Sequence, residues 1–261
     1  MVLLTFLSDY GYEDEFAGAC RAVIARLAPD VAIVDITHGI PSGDVRRGAL
    51  ALEAAAARSG SAVHLAVVDP GVGTDRRGLA LTAGESLLVG PDNGLLLPAA
   101  ARLGGVTGAV DISRTGLRLE PVAPTFHGRD IFAPVAAHLA AGRPLAAAGE
   151  DIDPASLVGL ELPQPRRDGA TLIAHVLYAD GFGNLVLDAS GDDLGAGEGG
   201  VEVTTRGGEF LAVRGRTFAE GAGGLVVYDD SSGRLGIAVD GGSAADLLSA
   251  GRDDELRLAA A

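Results

Sequence analysis

The chain has 261 residues, 48% of them hydrophobic and 21% charged, a balance that suits a folded globule and not a disordered segment. Its formal net charge of -15 disfavours a nucleic-acid surface, which needs clustered cations. All 20 basic residues are arginine, which excludes lysine Schiff-base chemistry, pyridoxal phosphate anchoring and the phosphate-binding lysine of P-loops. The single cysteine, Cys20, permits neither an intrachain disulfide nor a thiolate metal cluster. Apolar runs such as Leu95 to Ala101, broken by Pro98, fall short of the roughly 20 residues that a membrane span needs. The apolar start, Met1 to Leu7, lacks a basic leader and runs into Ser8 and Asp9, so a signal peptide is not expected and the address reads as cytoplasmic.

Along the chain, Val2 to Leu7 reads as a strand, followed by a helix near Glu15 to Leu27, a strand at Val31 to Ile36 and a helix near Asp44 to Arg58. A third strand, Ala62 to Val68, is followed by strand-like runs at Ser86 to Val89 and Thr107 to Ile112 and by a helix over Arg129 to Ala141. Near-continuous apolar strands alternating with helices predict a doubly wound α/β domain with a parallel sheet over residues 1–153. The stretch 154–169, with Pro154, Pro163 and Pro165 and no sustained period, reads as a linker. Residues 170–261 carry closely spaced strand-like runs, at Thr171 to Tyr178, Asn184 to Leu187, Val201 to Thr204, Phe210 to Arg214, Gly224 to Tyr228 and Leu235 to Val239, which predict a smaller antiparallel β-barrel.

Ligands in open parallel sheets bind beyond the carboxyl ends of the strands. There the sequence places Ser8-Asp9-Tyr10-Gly11 and Asp69-Pro70-Gly71-Val72-Gly73-Thr74-Asp75-Arg76, each with a carboxylate at a strand end. Taken singly, each Asp reads first as turn chemistry, and Asp9 also as a feature of the following helix start. Gly71 and Gly73 make no dinucleotide fingerprint, since Arg76 stands where the third glycine belongs. Phe126-His127-Gly128-Arg129-Asp130 puts an imidazole at a helix start, which favours its neutral, proton-accepting form. His38, His64, His138 and His175 show no metal-ligand spacing, and no metal is expected. In the second half, Asp180-Gly181-Phe182-Gly183-Asn184 and Ser231-Ser232-Gly233-Arg234 read either as hairpin turns or, for the first, as a stacking ring and an amide suited to an adenine edge.

Together with Gly90-Pro91-Asp92-Asn93-Gly94, and in this order, these segments resemble the S-adenosyl-L-methionine (SAM) hydroxide adenosyltransferase family, relatives of the fluorinase and chlorinase enzymes. The resemblance covers most of the chain. It implies hydrolysis of SAM, as substrate and not cofactor, to adenosine and L-methionine by water attacking the ribose C5′, with no further cofactor, membrane or nucleic acid. It implies a homotrimer whose sites lie between subunits. By motif it implies a water-activating set of Asp69, Arg76 and His127, with Arg77 a second claimant to the Arg76 role, and substrate contacts at Asp9 (ribose), Phe182 and Asn184 (adenine), Asp180 and Ser231 (methionine end), Gly128, Val239 and Gly241. The alternatives are a halogenase of the same superfamily and a non-catalytic module that binds adenosine or SAM. The halogenating relatives carry a tyrosine where this chain has Asp69, a Tyr-Ser pair where it has His127-Gly128, and an extra loop for which the connection from Asp92 to Asp111 leaves no room.

Overall fold

The computed structural model describes residues 2–195 and 199–261. Two units divide the chain, Met1–Leu160 and Glu161–Ala261.

In the first unit a seven-stranded sheet runs in the order β2-β1-β3-β5-β4-β6-β7. Its strands are β1 (Leu3–Ser8), β2 (Ala32–Thr37), β3 (Ala62–Val67), β4 (Gly78–Ala83), β5 (Ser86–Pro91), β6 (Val106–Asp111) and β7 (Glu150–Asp151). Four helices cover it: α1 (Phe16–Leu27), α2 (Val45–Ala56), α3 (Leu97–Arg102) and α4 (Ala133–Ala140). The central strands are apolar on both sides because both faces are covered. Leu4, Phe6, Val63, Leu65 and Val67 join residues of α1 and α4 in one core, while Leu7, Ala66 and Val68 join α2 and α3 in another. The α1 stripe is Ala17, Cys20 and Ile24, the spacing of one helical face. Asp44 caps α2 by accepting from the Arg47 amide, and Gly48 lets that helix approach Val68 and Leu95 so closely that an added Cβ would lie 2.9 Å from one and 3.0 Å from the other.

The sheet is mixed, not purely parallel as expected. Strands β1, β2, β3 and β5 are parallel, whereas β4 runs antiparallel to both β5 and β6, and β7 antiparallel to β6. Strand β4 enters through a tight hairpin: Ala83 pairs with Ser86 across Gly84, whose φ of 54° lies in the left-handed region and whose absent side chain leaves room for the Leu103 carbonyl. The helix expected over Arg129 to Ala141 begins as a π-turn, Gly128–Phe132, and becomes α-helical only at Ala133.

The second unit is a closed barrel of seven strands, with an eighth attached outside the ring. The strands are β8 (Arg166–Asp168), β9 (Thr171–Ala179), β10 (Leu185–Leu187), β11 (Gly200–Thr205), β12 (Gly208–Arg214), β13 (Leu225–Asp229), β14 (Leu235–Val239) and β15 (Glu255–Ala260), with the short helices α5 (Gly191–Leu194) and α6 (Ala244–Leu248). Closure depends on the nine-residue β9, which holds β15 along its first half and β10 along its second. One pairing departs from the expected antiparallel pattern: β12 and β13 are parallel, joined by a connection carrying the 3-10 turn Phe218–Gly221. Leu172, Val176, Leu185, Val203, Ile237, Leu256 and Leu258 fill the interior.

Candidate active site

The chain leaves β3 into two consecutive turns. The Val72 amide donates to the Asp69 carbonyl at 3.2 Å, the Thr74 amide to the Gly71 carbonyl at 3.2 Å, and the Arg76 amide to the Thr74 hydroxyl at 3.3 Å. Gly73, at φ 79°, passes so close to the Pro124 carbonyl that a Cβ would sit 2.8 Å from it, which only glycine tolerates. The turns fold Arg76 back on Asp69: Nε donates to Oδ1 at 2.9 Å and Nη2 to Oδ2, a bidentate pair with Asp69 6% and Arg76 10% exposed. Asn93, from the Gly90 to Gly94 segment, steadies the base of this loop by donating to the Val68 carbonyl at 2.9 Å. Arg77, the other claimant, is engaged elsewhere: it donates to Asp92 at 2.8 Å and to the Ser156 hydroxyl and carbonyl at 3.1 and 2.6 Å.

His127 reaches the same place from the loop before the π-turn. The Arg76 Nη2 lies 3.3 Å from its Nδ1. Since a guanidinium only donates, Nδ1 is the acceptor and a neutral ring carries its proton on Nε2. Burial, and then the Arg76 charge, hold the His127 pKa below its ordinary 6.5, against the opposing pull of Asp69 and Asp130. Burial raises the Asp69 pKa from its ordinary value, with Arg76 opposing. The Arg76 guanidinium also lies over the Phe132 ring, 5.3 Å from its centroid.

Asp69, His127, Asp9 and Gly128 line one pocket of about 50 Å³, which Tyr10, Val67, Val72 and Thr125 complete. That is room for a few water molecules. Asp9 does not cap α1; its Oδ2 accepts from the Gly43 amide at 2.8 Å. Gly128 is dictated by Tyr10, whose hydroxyl would lie 1.9 Å from a Cβ there. Phe126 packs edge to face against both Tyr10 and Phe16, which are tilted against each other, with centroids 5.4 to 6.1 Å apart. A larger cavity of about 460 Å³, lined by Arg76, Arg77, Ser113, Arg114 and Glu150 among others, also has His127 in its wall.

In the second unit, Phe182, Asn184, Val239 and Gly241 line a hollow of about 500 Å³ together with Phe218, Asp240, Gly242 and Ser243. Asp180 stands behind it. Its Oδ1 accepts the Phe182 and Asn184 amides at 2.8 and 2.9 Å, and its Oδ2 accepts Asn184 Nδ2 at 2.9 Å. That last bond fixes which way the Asn184 amide faces, leaving its carbonyl and one N–H to act elsewhere. Phe182 is 83% exposed. Ser231 lies in the turn between β13 and β14 and is not part of the hollow's wall. Sequence reasoning missed Tyr10 and Phe218. Phe218 lies inside a Thr217 to Glu220 capping box, a signal that announces a turn and hides the ring it presents.

Among the described residues, no group of three or more His, Cys, Asp or Glu side chains is placed to hold a metal ion, and no helix is long and apolar enough to cross a membrane.

Comparison with known proteins gives the family. Residues 4–149 match the SAM hydroxide adenosyltransferase N-terminal domain and residues 174–257 the C-terminal domain of the same family. The chain is 52% identical over 260 residues to an (R)-S-adenosyl-L-methionine hydrolase of Salinispora tropica, covering 98% of this chain and 97% of that one. It is 27% identical to a fluorinase of an Actinoplanes species, covering 90% of each. The crystal structure of an uncharacterized conserved protein from Thermotoga maritima superposes with a TM-score of 0.92 at 34% identity, covering 98% of this chain and 99% of that one. The chain therefore belongs to the SAM hydroxide adenosyltransferase family.

Proposed function

We propose that the protein hydrolyses SAM to adenosine and L-methionine. The observation that carries this reading is the Asp69–Arg76–His127 set beside a small pocket that can hold water. A water held there attacks the ribose C5′ as the C5′–S bond breaks. The sulfonium leaves as neutral methionine, and the water's two protons end on the adenosine hydroxyl and on the enzyme. Bulk water has a pKa near roughly 15.7, so the nucleophile needs help. Arg76 stabilises the developing hydroxide, Asp69 holds the guanidinium in place, and neutral His127 takes the water's proton at Nδ1, giving up its hydrogen bond from Arg76 as it does so. General-base assistance of this kind is worth about 10² to 10⁴ in rate, and alignment of water with the C5′–S bond contributes further.

Asp9 grips the ribose hydroxyls, and Gly128 keeps the pocket wall at backbone width. Phe182 and Asn184 hold the adenine, with Val239 and Gly241 as backbone walls. Asp180, whose Oδ2 retains a lone pair after its bond to Asn184, and Ser231 take the methionine end. A homotrimer completes each site from two copies: the water-activating groups belong entirely to the first unit and the aromatic hollow to the second. The halogenase reading is disfavoured by Asp69 and His127-Gly128, which stand where the halogenating relatives carry a tyrosine and a Tyr-Ser pair.

The deciding experiment is incubation of purified protein with SAM and chelator, without added halide. Equimolar adenosine and methionine are expected; methylthioadenosine or S-adenosylhomocysteine as the main product would overturn the reading. Shared sites are tested by mixing His127→Ala and Asn184→Ala chains under subunit exchange. Activity returns if two copies build one site, and stays at the level of the separate variants if each chain builds its own.

A further inference from the structure

A second hydrogen-bonded chain lies behind the pocket, built from residues to which no part of the proposed reaction assigns a role. Ser8, at the end of β1, is fully buried, and its Oγ lies 2.7 Å from Nδ1 of His38, itself only 3% exposed. On the far side of the imidazole, Nε2 faces Asp35 Oδ1 at 3.4 Å; both atoms are buried and have no other partner among the described residues. Asp35 in turn pairs with Arg21 at the surface.

The proton positions along this chain follow from what each group can do. The Tyr10 amide donates to Ser8 Oγ at 3.3 Å. If His38 Nδ1 also donated to Ser8, the serine proton would lack an acceptor and a bare Nε2 lone pair would face the Asp35 carboxylate. The reverse arrangement leaves less unpaired: the Ser8 hydroxyl donates to Nδ1, and the Nε2 proton faces the Asp35 carboxylate across 3.4 Å, an electrostatic contact longer than a hydrogen bond. Burial, which holds the His38 pKa below its ordinary 6.5 against the pull of Asp35, keeps the ring in that neutral form. The Phe6 ring, edge to face at 4.6 Å, closes one side of the imidazole. The complete burial of Ser8 rules it out as a nucleophile despite the Ser-His-Asp composition.

This chain ends on the segment that carries Asp9. His38 grips residues 8 to 12 at three points: through Ser8 Oγ, through its carbonyl, which accepts the Gly11 amide at 2.8 Å, and through its own amide, which donates to the Tyr12 hydroxyl at 2.9 Å. Between those anchors lie Asp9 and Tyr10, both in the wall of the small pocket. We propose that Ser8 and His38 are positioning residues that set the Asp9 carboxylate against the ribose of the bound substrate. This rests on the SAM hydrolase reading and adds to it.

A double-mutant cycle tests it. Ser8→Ala deletes one oxygen atom and is the deciding variant. It is expected to raise KM for SAM by about tenfold with a smaller change in kcat, the loss that a misplaced binding group produces. His38→Asn, which keeps an acceptor near the Nδ1 position, recovers most of the loss seen in His38→Ala. In an Asp9→Ala background, Ser8→Ala changes kcat/KM by less than about twofold, because the group it positions is gone. A wild-type KM in Ser8→Ala, or the same fold loss with and without Asp9, overturns the proposal. A failure of the hydrolase reading itself shows instead in the wild-type protein, as absence of adenosine.

Discussion

The pocket around Asp69 and the hollow around Phe182 are built on opposite plans. In the first, a buried carboxylate and guanidinium satisfy each other in a bidentate pair, and the loop that carries them is locked by its own turns. In the second, Phe182 is 83% exposed and Phe218 45%, while the polar groups are fixed by Asp180. The difference matches the two tasks proposed for them. Charge stabilisation works best when the dipoles are in place before reaction, so that nothing reorganises at the transition state. Recognition of an aromatic base draws instead on apolar surface that is open until the ligand covers it.

The sharpest way to break this contrast is to empty the first pocket of its charges. Arg76→Ala is expected to lower kcat by about 10² to 10³ and also to destabilise the first unit, because it strands the buried Asp69 carboxylate. Adding Asp69→Asn to Arg76→Ala should restore much of the melting temperature while leaving turnover at the low level. Recovery of turnover along with stability would show the pair to be a packing device. His127→Ala alone should cost about 10² in kcat.

A next, smaller effect concerns His64, fully buried on β3, with Nδ1 2.8 Å from the Thr5 hydroxyl and no partner for Nε2 among the described residues. Burial pushes its pKa from 6.5 to about 4. Between those values the unfolded chain binds a proton that the folded chain refuses, so its stability contribution is fully present above pH 6.5. That contribution falls away as pH drops, by about 3 kcal/mol near pH 4. Melting followed from pH 7 to 4 should show this loss in the wild type and a flatter profile in His64→Asn. Equal slopes would mean that other groups govern the acid limb.

The smallest expected change is on the recognition side. Phe182→Ala should raise KM for SAM by about tenfold, the worth of one stacking contact, and leave kcat within about twofold. A fall in kcat of the Arg76→Ala size would mean that the two regions do not divide the work as described.

The α/β alternation, the barrel and the loops bearing Asp9, Asp69 and Arg76 were legible in the sequence because each is a local pattern. The misses have local causes too. Strand β4 follows Arg76 and Arg77 directly, so its apolar run Gly78–Ala83 has no helix ahead of it to mark it as part of an α/β sheet. Strand β15 is written with Leu and Ala, which favour helices, and only the burial of Leu256 and Leu258 between exposed or half-exposed neighbours exposes its period of two. Helix α3 carries Pro98, tolerated in its first turn. What sequence cannot encode locally is convergence. His127 lies 51 residues beyond Arg76 and His38 lies 30 beyond Ser8, and both contacts exist only because the sheet brings the ends of its strands together.

The place of β15 in the barrel bears on how the molecule is made. It lies between β9, the first strand of the ring, and β11, so the ring cannot close until residues 255–260 are available. Ribosomes deliver a chain in order, at about 5 to 20 residues per second. Strands β1, β2 and β3 and their helices can dock as they emerge, each against a near neighbour in sequence, whereas β9 must wait exposed for its last partner. A nascent chain thus holds its Asp69–Arg76 loop well before its barrel is closed, and during that interval residues 172–175 of β9 present an unpaired strand edge, the kind of surface that invites pairing with another chain.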